Sequence, residues 1–207
     1  RTLAGLERVI ERDDRRGLGE PVALDHREAH TPPELLEIRR QRFGAKSMEV
    51  ALSLENLGMS LYDQGKYPAA EALLREATET RKVILKGAPH PEMADGLNNL
   101  GLVLMDVGDL AQAEARYREA LAMNRILLDP LHPSVAVNLN NIAFVLHDQG
   151  KFREAEPLYR EVILNRRKGH VGELREYFRH CCRQTVYRCG DRHRMNKNRL
   201  FERVSHI

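Results

Sequence analysis

HPEMADGLNNLGLVLMDVGDLAQAEARYREALAMNR, residues 90–125, returns at residues 132–167 as HPSVAVNLNNIAFVLHDQGKFREAEPLYREVILNRR. Sixteen of the thirty-six aligned positions are identical, where average composition gives about two. An earlier copy runs from Leu54-Glu55-Asn56-Leu57-Gly58 through Asp63-Gln64-Gly65 and Ala70-Glu71 to Leu74-Arg75-Glu76-Ala77. Its glycines stand 43 residues before Gly101 and Gly108, one more than the next interval, so its closing loop is one residue longer. Repetition at this period is the signature of a stacked array.

Each copy reads as two helices. Leu54, Leu57 and Leu61, then Leu97, Leu100 and Leu104, then Leu139, Ile142 and Leu146 have the i, i+3, i+7 spacing of one helical face. Gly65, Gly108 and Gly150 follow, where a left-handed residue ends a helix without a Cβ clash. The second helix alternates small and large residues: Ala70, Leu74, Ala77; Ala113, Tyr117, Ala120; Ala155, Tyr159, Val162. Gly58 and Gly101 lie inside first helices, where glycine costs about 1 kcal/mol against alanine. The expectation is a close helix crossing, with Ala70 and Ala113 pressed on them and Ala155 on Ala143. Glu71–Arg75, Glu114–Arg118 and Glu156–Arg160 are i, i+4 pairs of a solvated face. The periodicity predicts helices over 48–63, 67–86, 91–107, 110–128, 133–149 and 152–167.

The Leu-Asn-Asn-Leu/Ile-Gly/Ala run, the Asp-x-Gly turn, Ala-Glu-x-x-x-Arg-Glu and the His-Pro linker together resemble the tetratricopeptide repeat, in the long variety of kinesin light chains. The resemblance covers about 33–168. It departs at Glu55, where the later copies have asparagine, and at Ser47-Met48, where they have His-Pro. It implies an all-α, right-handed superhelical solenoid of antiparallel helix pairs, with half a repeat at 33–46 and repeats at 48–88, 91–130 and 133–168. It also implies a non-catalytic protein-interaction module, a scaffold or adaptor, with first helices lining a concave groove for a partner peptide or helix. Register puts Asn56, Asn99 and Asn141 in that groove, with Glu55, Asn98 and Asn140 beside them. Met59, Leu102 and Phe144 follow one turn on, then Tyr62, Met105 and His147. A carboxamide offers two donors and an acceptor, suiting it to a peptide backbone. The same asparagines serve equally well to bond neighbouring helices and set their pitch. Relatives that grip a terminal carboxylate use cations one turn earlier; here those positions are Leu52, Asp95 and Val137.

The His-Pro motifs have a local reading: His90 and His132 cap the helices that Pro91 and Pro133 begin. Upstream, Thr31-Pro32-Pro33-Glu34 has the form of a helix start, and the helix from Pro33 to Phe43 resembles the second helix of an incomplete preceding repeat. Residues 1–30 read as a short helix and loop, partly disordered. No run of eighteen apolar residues is present, which argues against a membrane span. No signal peptide opens the chain, a cytoplasmic setting is the default, and a start at Arg1 reads as a piece of something longer.

The character changes at Gly169. From there to Ile207 there is no alanine, against nineteen before, and nine Lys/Arg face four acids. All three cysteines fall here. His180, Cys181, Cys182, Cys189 and His193 form a cluster whose spacing fits no zinc motif, so neither metal nor another cofactor is expected. Arg175, Arg179 and Arg183 make a basic stripe, with Tyr177, Phe178 and Tyr187 available to stack on bases. Nucleic-acid binding through 175–203 is therefore the rival reading, against the plainer one of a solvated basic helix. Leu174, Tyr177, Phe178, Cys181, Cys182 and Thr185 make an apolar face fit to cover the open end of the last repeat. No phosphate-cradling glycine loop, nucleophile elbow or His-Glu-x-x-His motif occurs. An enzyme reading survives only as the interaction segment of a larger signalling enzyme. Neither the partner's identity nor the oligomeric state follows from the sequence.

Overall fold

In the computed structural model, which describes residues 33–168, Ser47 opens the first full copy by capping its helix: its hydroxyl accepts from the Val50 N–H at 3.3 Å. The later copies do the same with the imidazoles of their linkers. His90 Nδ1 accepts from Glu92 N–H at 3.3 Å and His132 Nδ1 from Ser134 N–H at 3.2 Å. Seven helices result, with no strand among the described residues. They are α1 (Pro33–Phe43), α2 (Met48–Asp63), α3 (Tyr67–Ile84), α4 (Pro91–Val107), α5 (Leu110–Leu127), α6 (Pro133–Asp148) and α7 (Phe152–Lys168).

The turns inside the pairs work as the glycine spacing predicts. Gly65, Gly108 and Gly150 have φ of 75°, 94° and 78°. After Gly65 and Gly150 the next N–H reaches back five residues, Lys66 to Leu61 O at 2.9 Å and Lys151 to Leu146 O at 2.8 Å, which satisfies carbonyls that the helix end leaves open. The closing loop of the first pair differs. Helix α3 ends at Ile84, short of the predicted 86, because Lys86 and Gly87 both turn left-handed, at φ 51° and 75°. The loop from 85 to 90 holds the extra residue; its counterpart between α5 and α6 spans 128–132.

The chain forms two compact units, divided within α4. Among the described residues, the first holds Pro33 to Ala88 and Leu102–Val107; the second holds Pro89–Gly101 and Gly108 to Lys168. In the first, Leu36 of α1 joins Val50 and Leu54 of α2 and Ala77 of α3 in one core, with Leu57 and Leu73 packed on its edge. In the second, Leu97, Leu100, Ala113, Tyr117, Ala120, Leu139, Ile142, Leu146, Ala155 and Val162 are buried. Both apolar periodicities thus turn mostly inward, with Leu57, Leu61 and Tyr159 left half-buried.

The glycine crossings need a correction. An added Cβ on Gly101 would stand 2.7 Å from Cε1 of Tyr117, and the three nearest atoms all belong to that ring. On Gly58 it would meet Leu74 Cγ at 3.0 Å, with the Ala70 carbonyl oxygen at 3.3 Å. The missing side chain therefore makes room chiefly for the large residue one turn beyond the alanine. Ala70 is in contact at Gly58 through its carbonyl oxygen, as expected, and Leu74 and Tyr117 fill the space.

Candidate functional site

The first helix of each pair carries the side chains that the register assigns to a binding face. Their burial is uniform with one exception. Asn56, Met59 and Tyr62 on α2 are half-buried, as are Asn98, Asn99, Leu102 and Met105 on α4 and Asn140, Asn141, Phe144 and His147 on α6. The exception is Glu55, which is sealed. Beside the fully buried leucines of the same helices, half-burial marks the margin between core and solvent.

Glu55 is sealed because it faces Arg81 of α3. A guanidinium nitrogen of Arg81 donates to the Glu55 carboxylate, and the side chains are 1% and 9% exposed. Removing either partner of such a buried pair would strand the other away from water, which is costly. Glu55 meets Arg81 late in α3, while Gly58 meets Leu74 earlier in it, so α2 and α3 run antiparallel. This carboxylate is spent inside the pair rather than offered on its surface.

In the second unit the same register position is Asn98, and its surroundings differ. Asn124 on α5 donates through Nδ2 to Asn138 Oδ1 on α6 at 2.7 Å, and Asn138 Nδ2 donates to Asn98 Oδ1 on α4 at 2.7 Å. Asn138 is fully buried and Asn124 nearly so, while Asn98 keeps part of its surface. Three carboxamides from three helices thus form one head-to-tail chain. Sequence reasoning gave no role to Asn124, Asn138 or Arg81, although the Glu76–Arg81 spacing repeats that of Glu34–Arg39. The signal was present: Arg39, Arg81 and Asn124 recur at steps of 42 and 43, in phase with the repeats. Arg39 plays the corresponding part at the start, donating to the buried Ser53 hydroxyl at 2.6 Å.

Other predicted residues have partners that fix them in place. Tyr62 donates to Asp106 Oδ2 at 2.7 Å and lies against Tyr67, ring centroids 5.6 Å apart. His147 meets Phe152 edge-on at 5.0 Å, with Asp148 Oδ1 3.3 Å from its Nδ1. Asn56, Asn140 and Asn141 make no side-chain hydrogen bond with any described residue. The outer face is held by the i, i+4 pairs Arg75–Glu71 at 2.8 Å, Arg118–Glu114 at 2.8 Å and Arg160–Glu156 at 2.7 Å. Longer links join second helices, Arg40 to Glu76 at 2.7 Å and Arg125 to Glu161 at 3.1 Å. Burial raises the pKa of Glu114, but hydrogen bonds from Arg118 and Gln149 and the charges of Arg118 and Lys151 outweigh it, leaving the group below its ordinary value. The Cys/His cluster, the basic stripe, the proposed cap over the last repeat and residues 1–30 lie outside the described residues. No described helix is long and apolar enough to cross a membrane.

These helix pairs, with their turn glycines and polar first-helix margin, define an all-α solenoid of tetratricopeptide repeats. Two stretches match tetratricopeptide repeat families, residues 50–92 and residues 92–168. The chain belongs to the tetratricopeptide repeat family. Such repeats are protein–protein interaction modules and are generally non-catalytic. Among solved structures, BtubC (BKLC) from P. vanneervenii is similar at 27% identity and a TM-score of 0.60, over 65% of this chain and 54% of that one. This chain thus spans about half the length of that relative. A putative kinesin light chain of Podosopora anserina with nearly identical TPR-like repeats is similar in fold at 19% identity and a TM-score of 0.63, over 99% of this chain and 93% of that one. A singly substituted form of the same protein gives 20% identity and a TM-score of 0.64, over the same shares. No curated protein matches.

Proposed function

We propose that the helix pairs act as a non-catalytic adaptor whose first helices receive a linear segment of a partner protein. In the second unit the receiving side chains are Asn98, Asn99, Asn140 and Asn141, with Phe144 supplying apolar surface. In the first unit they are Asn56 and Met59, with Leu102 and Met105. The observation that carries this reading is the contrast along α6. Asn138 is sealed and bonded at both ends, whereas Asn140 and Asn141 are half-buried and bond no described residue. Phe144 follows them by four and three positions, on the same side of the helix. Half-buried donors and acceptors beside an aromatic ring suit a peptide backbone with one apolar side chain. Tyr62 and His147, each held by a neighbour, frame these patches.

Selection of binders from a displayed library of random linear peptides tests the reading. Each carboxamide hydrogen bond is worth about 0.5–1.5 kcal/mol. The double variant Asn140→Ala, Asn141→Ala should therefore bind the selected peptides roughly 5- to 150-fold more weakly than the parent, with an unchanged thermal midpoint. Peptides that bind both forms equally would place recognition elsewhere on the molecule.

A further inference from the structure

Asn138 does more than join two helices. A carboxamide has one acceptor end and one donor end, and Asn138 spends the first on Asn124 and the second on Asn98. The relay therefore has a direction. It begins at the nearly sealed Asn124 and ends at Asn98, whose oxygen is consumed by Asn138. What remains at Asn98 is the Nδ2 group, which bonds no described residue. Asn98 is half-buried, and its amide is not among the buried polar atoms that lack a partner, so it retains contact with solvent.

We propose that Asn138 is a positioning residue that fixes Asn98 as a hydrogen-bond donor, so that the bound partner segment must place an acceptor oxygen there. This rests on the first-helix reading above and specifies the chemistry of one of its contacts. The acceptor is a main-chain carbonyl or a side-chain carboxylate; a donor group at that position is refused, since it would face the N–H bonds of the amide. The first unit makes no such demand, because its equivalent residue, Glu55, is turned into the pair by Arg81. The contact therefore belongs to α4 and not to its repeat counterpart on α2.

Asn98→Asp is the decisive substitution. The carboxylate is the same size and still accepts from Asn138, so the relay and the fold survive, but the outward group becomes an acceptor with a charge. Peptides selected on the parent chain from a displayed random library should bind the Asn98→Asp variant at least about tenfold more weakly, as loss of a hydrogen bond plus repulsion of an oxygen requires. The thermal midpoint should stay within a degree or so of the parent's, since Asn98 is half-exposed. Replacing each acidic residue of the peptide by alanine then separates the sources. If one replacement abolishes the difference between parent and variant, the acceptor is that carboxylate; if none does, it is a main-chain carbonyl. Undiminished binding to the Asn98→Asp variant, in a chain whose Asn140→Ala, Asn141→Ala variant loses binding, overturns this inference and leaves the proposed function standing. Undiminished binding to both variants overturns both.

A second variant reads the positioning role without touching the contact. Asn138→Leu removes the relay and frees the Asn98 amide to rotate. Affinity for the same peptides should fall several-fold, and peptides newly selected on the variant should no longer be weakened by Asn98→Asp. Peptides that retain the parent's full sensitivity to Asn98→Asp in the Asn138→Leu background would show that Asn138 does not set the orientation.

Discussion

Gly101→Ala puts the reading of the helix crossing to a quantitative test. Removing a mid-helix glycine by itself should stabilise the protein by about 0.8–1.0 kcal/mol, the difference in helix propensity. The geometry opposes it. The new Cβ would lie 2.7, 2.9 and 3.0 Å from three carbons of the Tyr117 ring, where carbon pairs prefer about 3.5–4.0 Å. Tyr117 is 1% exposed, so its ring cannot swing into solvent to relieve the clash. Overpacking of this kind costs about 1–3 kcal/mol, so the net effect should be a destabilisation of up to about 2 kcal/mol. At Gly58 the nearest atoms are the Cγ and Cδ2 of Leu74 at 3.0 and 3.2 Å, a shorter and more yielding side chain. Gly58→Ala should therefore cost less or be neutral. The third repeat shows the accommodation already made, for Ala143 occupies the glycine position and Tyr159, the counterpart of Tyr117, is only half-buried. Urea denaturation followed by far-ultraviolet circular dichroism measures the effect, and a double-mutant cycle with Tyr117→Leu isolates its cause. In the Tyr117→Leu background the alanine should lose most of its penalty, a coupling of about 1–2 kcal/mol. If Gly101→Ala stabilises by its full propensity gain in both backgrounds, the glycine is not there for the ring.

The buried ion pair gives a second test. Glu55→Ala removes the carboxylate facing a guanidinium that is 1% exposed, and should cost about 3–5 kcal/mol in chemical denaturation. Replacing the pair together by Glu55→Leu and Arg81→Met should cost much less, because no buried charge is stranded; equal losses would mean that the pair contributes by shape alone. A third concerns pH. Because the Glu114 pKa is lowered in the folded chain, the unfolded chain binds the proton more readily. Its contribution to stability is present above the unfolded pKa and lost as pH falls through the folded one. Carboxyl NMR should show Glu114 titrating below an ordinary glutamate, and Arg118→Gln should raise its pKa; an unchanged value in that variant would remove the arginine as the cause.

Much of this architecture is dictated locally. The period, the two helices per copy, the turn glycines and the histidine caps follow from spacing and from the backbone needs of a helix end. The 43-residue interval announces the extra residue between α3 and α4, which the fold places within 85–90. The inward apolar faces follow from the same periodicity. What the sequence leaves open is which groups meet across helices. A helix advances about 1.5 Å and 100° per residue, so an axial shift of one turn between neighbours exchanges one contact for another. That shift decides whether Gly101 meets Ala113 or Tyr117, and packing selects the tyrosine. The polar register is open for the same reason. Asn138 and Asn140 are alike in type and two positions apart, about 200° around the helix, so one is sealed in a relay and the other stands at the margin. Glu55 and Asn98 share a register position, yet the first is drawn inward by an arginine 26 residues away and the second is held at the surface by an asparagine 40 residues away. Local propensity fixes the helices; only their docking decides which of these polar groups is sealed inside the fold and which stays at its margin.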